Sequence, residues 1–266
     1  MKEIKLTELN ERDCTKIIYD IWLTKIKGIG PVKQKALLKE FITSENVFYA
    51  DKEQLSHVKT IDKSNITEIF NNRQLDQAKA TFDRCIKKGI NIISIKDGYY
   101  PALAKDIPDM PTILYYKGTL KINICGSAII GARRCSRDGK EKAINLAKQF
   151  AIEQIPVISG MAKGIDSYAH TACIMNGGYT VAVLGNGLDI CYPKEHDLLM
   201  KRIEETGLLI SEYEPGIPPS TYNFPRRNRI IAAIAKEIYI PEAGKGSGAL
   251  ITAEFGKKYG KILHYL

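Results

Sequence analysis

The sequence predicts an α/β protein, a mostly parallel sheet flanked by helices, with a small all-helical domain in front of it. Three observations carry this. From Cys125 onward, short apolar runs of strand length alternate with longer stretches of helical period, the rhythm of strands joined by right-handed crossovers. Five of those runs end in loops that contain glycine. Near the N-terminus two stretches of helical apolar spacing, 15–27 and 32–41, are separated by Gly28-Ile29-Gly30-Pro31. We therefore expect a helical domain over 1–65 and a sheet domain over 66–266, which 266 residues at 44% hydrophobic content can build.

In chain order, a helix is expected over 15–27, with Ile17, Ile18, Ile21, Trp22 and Ile26 on one face. Two glycines around an aliphatic residue, then proline at a helix start and a second apolar stripe (Val32, Ala36, Leu37, Leu38, Phe41), make a tight helix-to-helix hairpin. This resembles the helix-hairpin-helix (SAM-like) motif, whose amides hold a DNA phosphate, and Lys25, Lys27, Lys33 and Lys35 flank it. The same turn also serves simple helix packing or a protein contact. A helix over 72–88, a strand over 90–95 and a proline-punctuated stretch over 97–111 follow. The aromatic residues of Tyr99-Tyr100-Pro101 and Ile113-Leu114-Tyr115-Tyr116 read as the cover of a sheet edge rather than as base-stacking surfaces. Strands are then expected over 127–130, 156–159, 180–184, 208–211 and 237–240, and helices over 138–153, 166–175, 194–205, 229–235 and 249–259.

Parallel strands place their C-terminal ends on one edge, the ligand-binding edge of open, Rossmann-like α/β sheets. The loops expected there are 131–139, 159–166, 185–189, 212–216 and 242–248. Glycine exposes amides and allows close approach, and a following helix start adds partial positive charge. Gly131, Gly160, Gly164, Gly246 and Gly248 can form such nests, with Arg133, Ser136, Lys163, Lys245 and Ser247 as side-chain donors and Arg134 beside them. Between the fourth and fifth strands, Phe224-Pro225-Arg226-Arg227-Asn228-Arg229 sets three guanidinium groups at the start of a helical pattern. Cations are disfavoured at a helix N-terminus unless an anion opposes them. A phosphate chain meets that need; so would a structural network with Glu212 and Glu214.

The net charge of +9 favours a polyanionic partner. No apolar run is long enough to span a bilayer and the Met1-Lys2-Glu3-Ile4-Lys5 start has no secretion signal, so a cytoplasmic protein without membrane contact is expected. Six scattered cysteines fit neither a disulfide framework nor a metal site. Neither standard nucleotide fingerprint is present, so no cofactor is expected. Cys135 lacks a neighbouring His and acid, and Asp166 with His170, four positions apart, reads as a helix cap and a packed imidazole before it reads as an acid and a base.

Five ordered motifs resemble the DNA processing (DprA/Smf) family: Ile129-Ile130-Gly131-Ala132-Arg133; Ser159-Gly160-Met161-Ala162-Lys163-Gly164-Ile165-Asp166 with His170; Val183-Leu184-Gly185-Asn186-Gly187-Leu188-Asp189 with Tyr192-Pro193; Phe224 to Ala232; and Ser247-Gly248-Ala249-Leu250-Ile251-Thr252-Ala253. The resemblance covers almost the whole chain. It implies a non-enzymatic homodimer with an extended Rossmann-like domain that binds and protects incoming single-stranded DNA and loads the RecA recombinase during natural transformation. The DNA contacts it implies are Arg133, Ser136, Ser159, Gly160, Lys163, Arg226, Arg227, Asn228 and Lys245. Ala132 stands where that family usually has Ser or Thr, and Asp138 where an aromatic is common. After Gly260 the sequence runs only through Lys261-Ile262-Leu263-His264-Tyr265-Leu266, so we expect the C-terminus to be shortened by a further strand and a Pro-Gly turn. The alternative is an enzyme like the Rossmann-like nucleotide phosphoribohydrolases, with Glu254, seven residues after Ser247, as its carboxylate, although the Gly-Gly-x-Gly-Thr-x-x-Glu order is not reproduced.

Overall fold

The computed structural model describes residues 6–244 and 246–266; Lys245, one of the expected phosphate-contact residues, lies outside them. By its contacts the chain divides into two units, 1–97 with 108–114, and 98–107 with 115–266.

In the first unit, the Asn10 side chain accepts from the Asp13 amide and starts α1 (Glu11–Lys25). Gly28 turns the chain at a φ of 77°, where glycine is favoured. Gly30 then caps α2 (Pro31–Phe41), with proline in its first turn. The expected hairpin is therefore present, and it is pinned from inside: Gln34 Nε2 donates to Ile29 O at 2.9 Å, while its Oε1 accepts from Thr112 at 2.8 Å. Of the lysines beside it, Lys33 donates to Asn65 Oδ1 at 2.5 Å. The remaining elements are α3 (Ser44–Tyr49), α4 (Lys52–Ser56), α5 (Lys63–Asn71), α6 (Asp76–Lys88) and β1 (Asn91–Ser94). The boundary expected between 65 and 66 falls within α5, whose burial of Ile66 and Ile69 ties it to this unit. Trp22, 2% exposed, anchors the core and donates from Nε1 to Asn72 O at 2.6 Å. Asn72 caps α5, so α6 begins at Asp76 and not at 72.

The second unit contains α7 (Ala102–Lys105), the part of β2 (Ile113–Gly118) from Tyr115 onward, β3 (Gly126–Ile129), α8 (Arg137–Ile152), β4 (Val157–Ser159), α9 (Ile165–Met175), β5 (Thr180–Leu184), α10 (Asp197–Thr206), β6 (Leu208–Ser211), α11 (Asn223–Ile234), β7 (Ala235–Ile240), α12 (Gly248–Lys258) and β8 (Ile262–Tyr265). Strands β2 to β8 run in the order β2-β6-β5-β4-β3-β7-β8. All these neighbours pair in parallel except β2 and β6. The fold is the mostly parallel, Rossmann-like one expected. Strands β3 to β6 are buried along their whole length, as in sheets covered on both faces. On one face, alanines at 143, 147 and 169 let α8 and α9 pack closely over Ile129 and Val157, with Phe150 and Cys173 completing the cluster.

Three local expectations are corrected. Ile113 to Tyr116 do not cover a sheet edge; they are β2 itself, with Tyr115 opposite Ser211. The last residues form β8, which pairs in parallel with β7 from Glu237–Ile262 to Ile240–Tyr265, so a strand is present where none was expected. Helix α11 begins at Asn223 rather than 229, because proline is tolerated in the first helical turn.

Candidate nucleic-acid interface

Strands β3, β4, β5, β6 and β7 are mutually parallel, so the five loops that follow them share the sheet's C-terminal edge. The strand order reverses between β3 and β7, the switch point at which such folds usually open a ligand crevice. Here the chain fills that crevice itself. Ser136 donates to the Glu242 carboxylate from its amide (2.9 Å to Oε2) and from its hydroxyl (2.6 Å), and its Oγ also caps α8 by accepting from Gly139 N at 3.1 Å. Glu242 O in turn accepts from Ala132 N at 2.8 Å. An internal carboxylate occupies the position in which a mononucleotide phosphate would meet the helix start, and Ser136 is committed to it.

The glycines on this edge are explained first by loop-to-loop packing. A Cβ on Gly131 would come within 2.5 Å of Ile165 Cγ1, and one on Gly164 within 2.3 Å of Ala132 O. At Gly160 a Cβ would lie 2.8 Å from Arg227 Nη2 and 2.9 Å from Asp166 Oδ2. The Gly160 and Ala162 amides donate to Asp166 Oδ2 at 3.2 and 3.3 Å, and Ser159 Oγ donates to Ile129 O at 2.6 Å. The loop over 159–166 is thus held from beneath by a buried carboxylate. Burial raises the Asp166 pKa, and Arg227 is the largest influence opposing that rise. His170 packs under the sheet with Nδ1 2.7 Å from Thr180 Oγ1, and burial pushes its pKa down to about 3. Asp166 and His170 are 7% and 0% exposed; Asp166 braces the loop, whereas His170 ties α9 to Thr180 at the start of β5.

The arginine cluster splits into two populations. Arg227 is 5% exposed; its Nη1 donates to Gly160 O at 2.8 Å and also to Val183 O, joining the ends of β4 and β5. Desolvation lowers its pKa to about 10. Arg229 is likewise buried and pairs with buried Glu212 at 2.5 Å, so the structural network weighed from sequence is real for this residue. Asn228 links Arg227 Nε, at 3.1 Å, to Gly248 O, at 3.0 Å, fastening α11 to the start of α12. Arg226 differs: its side chain is 43% exposed and its Nε only grazes Glu212 at 3.9 Å. Arg133 and Arg134 are exposed, without a carboxylate partner among the described residues. Lys163 is exposed and pairs closely with exposed Glu195, an exposed pair of little energetic weight. Ser247 Oγ is shielded and has no hydrogen-bond partner among the described residues, and Gly248 is exposed at the α12 start. The edge therefore offers Arg133, Arg134, Lys163 and Arg226 as reachable cations over a rigid base of buried ones.

Sequence reasoning missed an aromatic group beside them. Tyr192, in the loop after β5, stacks on Phe224 of α11, and Arg133 lies over the Phe224 ring. The three come from distant stretches, so no local pattern announces them.

The family model for DNA recombination-mediator protein A matches residues 91–266. The sequence is 36% identical over 245 residues to the DNA processing protein DprA of Streptococcus pneumoniae, covering 91% of this chain and 84% of that one. It is 34% identical over 247 residues to Protein Smf of Synechocystis sp., covering 90% of this chain and 62% of that one, so it spans less than two thirds of the Synechocystis protein. Its fold resembles the X-ray structure of DNA processing protein A from Streptococcus pneumoniae, with a TM-score of 0.77 at 32% identity, covering 93% of this chain and 86% of that one. It also resembles DNA processing protein A from Helicobacter pylori, a structure described for that protein's single-stranded DNA binding mode, with a TM-score of 0.59 at 29% identity over 65% of this chain and 80% of that one.

Proposed function

Because the chain belongs to the DNA recombination-mediator protein A family, we propose that it binds single-stranded DNA along the C-terminal edge of its sheet and delivers the strand to a RecA-class recombinase. One observation supports this most: Arg133, Arg134, Lys163 and Arg226, from separate loops, are exposed on one edge, while the switch-point crevice beside them is filled by Glu242. A row of cations without a closed nucleotide cavity suits a polymer, whose phosphates are met one after another. Guanidinium groups serve here better than lysines because they pair with phosphate through two N–H groups and also lie flat on a base. The buried residues Arg227, Asn228, Arg229, Ser159 and Gly160, with half-buried Gly164, position these loops, and Ser247 and Gly248 at the α12 start, with Lys245 shortly before them in the sequence, extend the contact. The protein acts in this reading without catalysis, in the cytoplasm, as a homodimer. The phosphoribohydrolase alternative has little to recommend it, since Glu254 is exposed and without a polar partner among the described residues.

The test is titration with oligothymidine at several salt concentrations. Affinity should fall steeply with salt, and Arg133→Ala/Arg226→Ala should flatten the log–log slope by about 0.7 for each lost contact. Salt-independent binding, or an unchanged slope in the double variant, overturns the reading. RecA pull-down with and without the oligonucleotide, beside a solution mass, tests the delivery step and the dimer; release of free base from nucleoside monophosphates in a Glu254-dependent manner would favour the enzyme.

A further inference from the structure

Of the reachable cations on this edge, Lys163 alone has a carboxylate in close contact among the described residues. Its partner is Glu195, and the two side chains are 56% and 55% exposed. Glu195 sits in a single tight turn, Lys194–His196, which follows buried Pro193 and is closed by a 3.0 Å bond from His196 N to Pro193 O. The next side chain, His196, faces Met161 O with Nδ1 at 3.0 Å and so donates to it. The turn that carries Glu195 is thereby fastened to the loop that carries Lys163.

Service to α10 alone does not explain this arrangement. An acidic residue ahead of a helix favours its N-terminus, but Asp197 already stands in the first turn of α10. The Glu195 carboxylate is spent on Lys163, whose hydrogen bond is the chief reason its pKa lies below the ordinary 4.5. Both backbones are held before the pair forms, that of Lys163 from beneath by Asp166 and that of Glu195 through His196. When an outside anion takes Lys163, the carboxylate therefore stays within reach. The loop of Arg133 touches this one, since a Cβ on Gly164 would lie 2.7 Å from Arg133 O.

We propose that Glu195 is an internal competitor for Lys163, a carboxylate that a phosphate of the DNA strand must displace and that takes the cation back when the strand leaves. It rests on the reading above, in which the strand runs along this edge, and adds a means of letting go. A phosphate next to one held by Arg133 arrives at high effective concentration and wins the exchange. The contact at Lys163 is nonetheless the one that an internal partner replaces as it breaks, so the strand opens there first. Glu195 lowers the affinity of the edge and quickens release.

The experiment titrates labelled oligothymidine and then chases it with excess unlabelled strand. It compares the wild type, Glu195→Gln, Lys163→Ala and the double variant, with Glu205→Gln as the control for net charge; Glu205 is an exposed carboxylate paired with Arg202 near the far end of α10. Glu195→Gln should bind about two- to fivefold more tightly, the range that an exposed ion pair spans, and should release the strand correspondingly more slowly. Neither change should appear when Glu195→Gln is added to Lys163→Ala, and Glu205→Gln should bind like the wild type. Unchanged affinity in Glu195→Gln, or an equal gain on the Lys163→Ala background or in Glu205→Gln, overturns the competitor while leaving strand binding intact. A wild type that does not bind oligothymidine overturns both readings.

Discussion

Arginine does opposite things in two neighbouring regions of this molecule. In the loop after β3, Arg133 and Arg134 are exposed and carry no carboxylate partner among the described residues. In the first turns of α11, Arg227 and Arg229 are 5% exposed each and spend their donors on Gly160 O, Val183 O and Glu212. Burial decides the role. A desolvated guanidinium persists only where carbonyls and carboxylates replace its water, so the α11 pair fixes loop positions, and the loop pair remains available to an incoming anion.

Four measurements sharpen or break that contrast. The largest effect is expected from Arg227→Ala, which leaves Asp166 facing no cation and frees the Gly160 and Val183 carbonyls. A loss of about 3–5 kcal/mol in urea unfolding is expected; a near-neutral result would mean that Arg227 does not hold the loop. Next comes pH. The folded pKa of His170 lies near 3, below its ordinary 6.5, so the unfolded chain takes up the proton first as pH falls. The contribution is fully present above about pH 6.5 and is lost as pH falls toward 3, at about 1.4 kcal/mol per unit. The wild type should lose about 2 kcal/mol of stability between pH 7 and 5 from this group, and His170→Gln should show that much less dependence. Asp166, raised by burial, titrates in the opposite sense and is common to both proteins.

Arg133→Ala/Arg134→Ala should behave in the contrary way to the α11 change. Stability should stay within about 0.5 kcal/mol, while the salt dependence of oligothymidine binding falls by about 1.4 in slope; destabilisation without a slope change would erase the distinction between the regions. The smallest effect belongs to Lys163→Ala. Its pair with exposed Glu195 should cost less than about 0.5 kcal/mol in thermal unfolding, with only DNA affinity reduced.

Much of the fold was legible because parallel strands and their helices are long-range in space but local in pattern. The runs at β5 and β6 have the bounds read from spacing alone. What escaped was context. Ile113 to Tyr116 lack alternation and follow prolines, so β2 read as cover. The half-polar run at β8 declares itself only through pairing with β7. At the site, the clustering of loops followed from topology, but the sorting of Arg226, Arg227 and Arg229 did not. A helix turns successive side chains by about 100°, and which of three arginines faces inward depends on where the helix starts. Pro225 hid that start. The Tyr192–Phe224–Arg133 group joins three loops and has no signature in any one of them.

Glu242 has a last consequence. With its carboxylate lodged between the β3 loop and the α8 start, the crevice that in many such sheets admits ATP or a dinucleotide already holds a negative charge. A protein built this way and working as proposed would have no fuel-driven stroke to time its grip. Its hold on a strand would end when a tighter competitor displaces it, and cellular nucleotide pools would not set the pace.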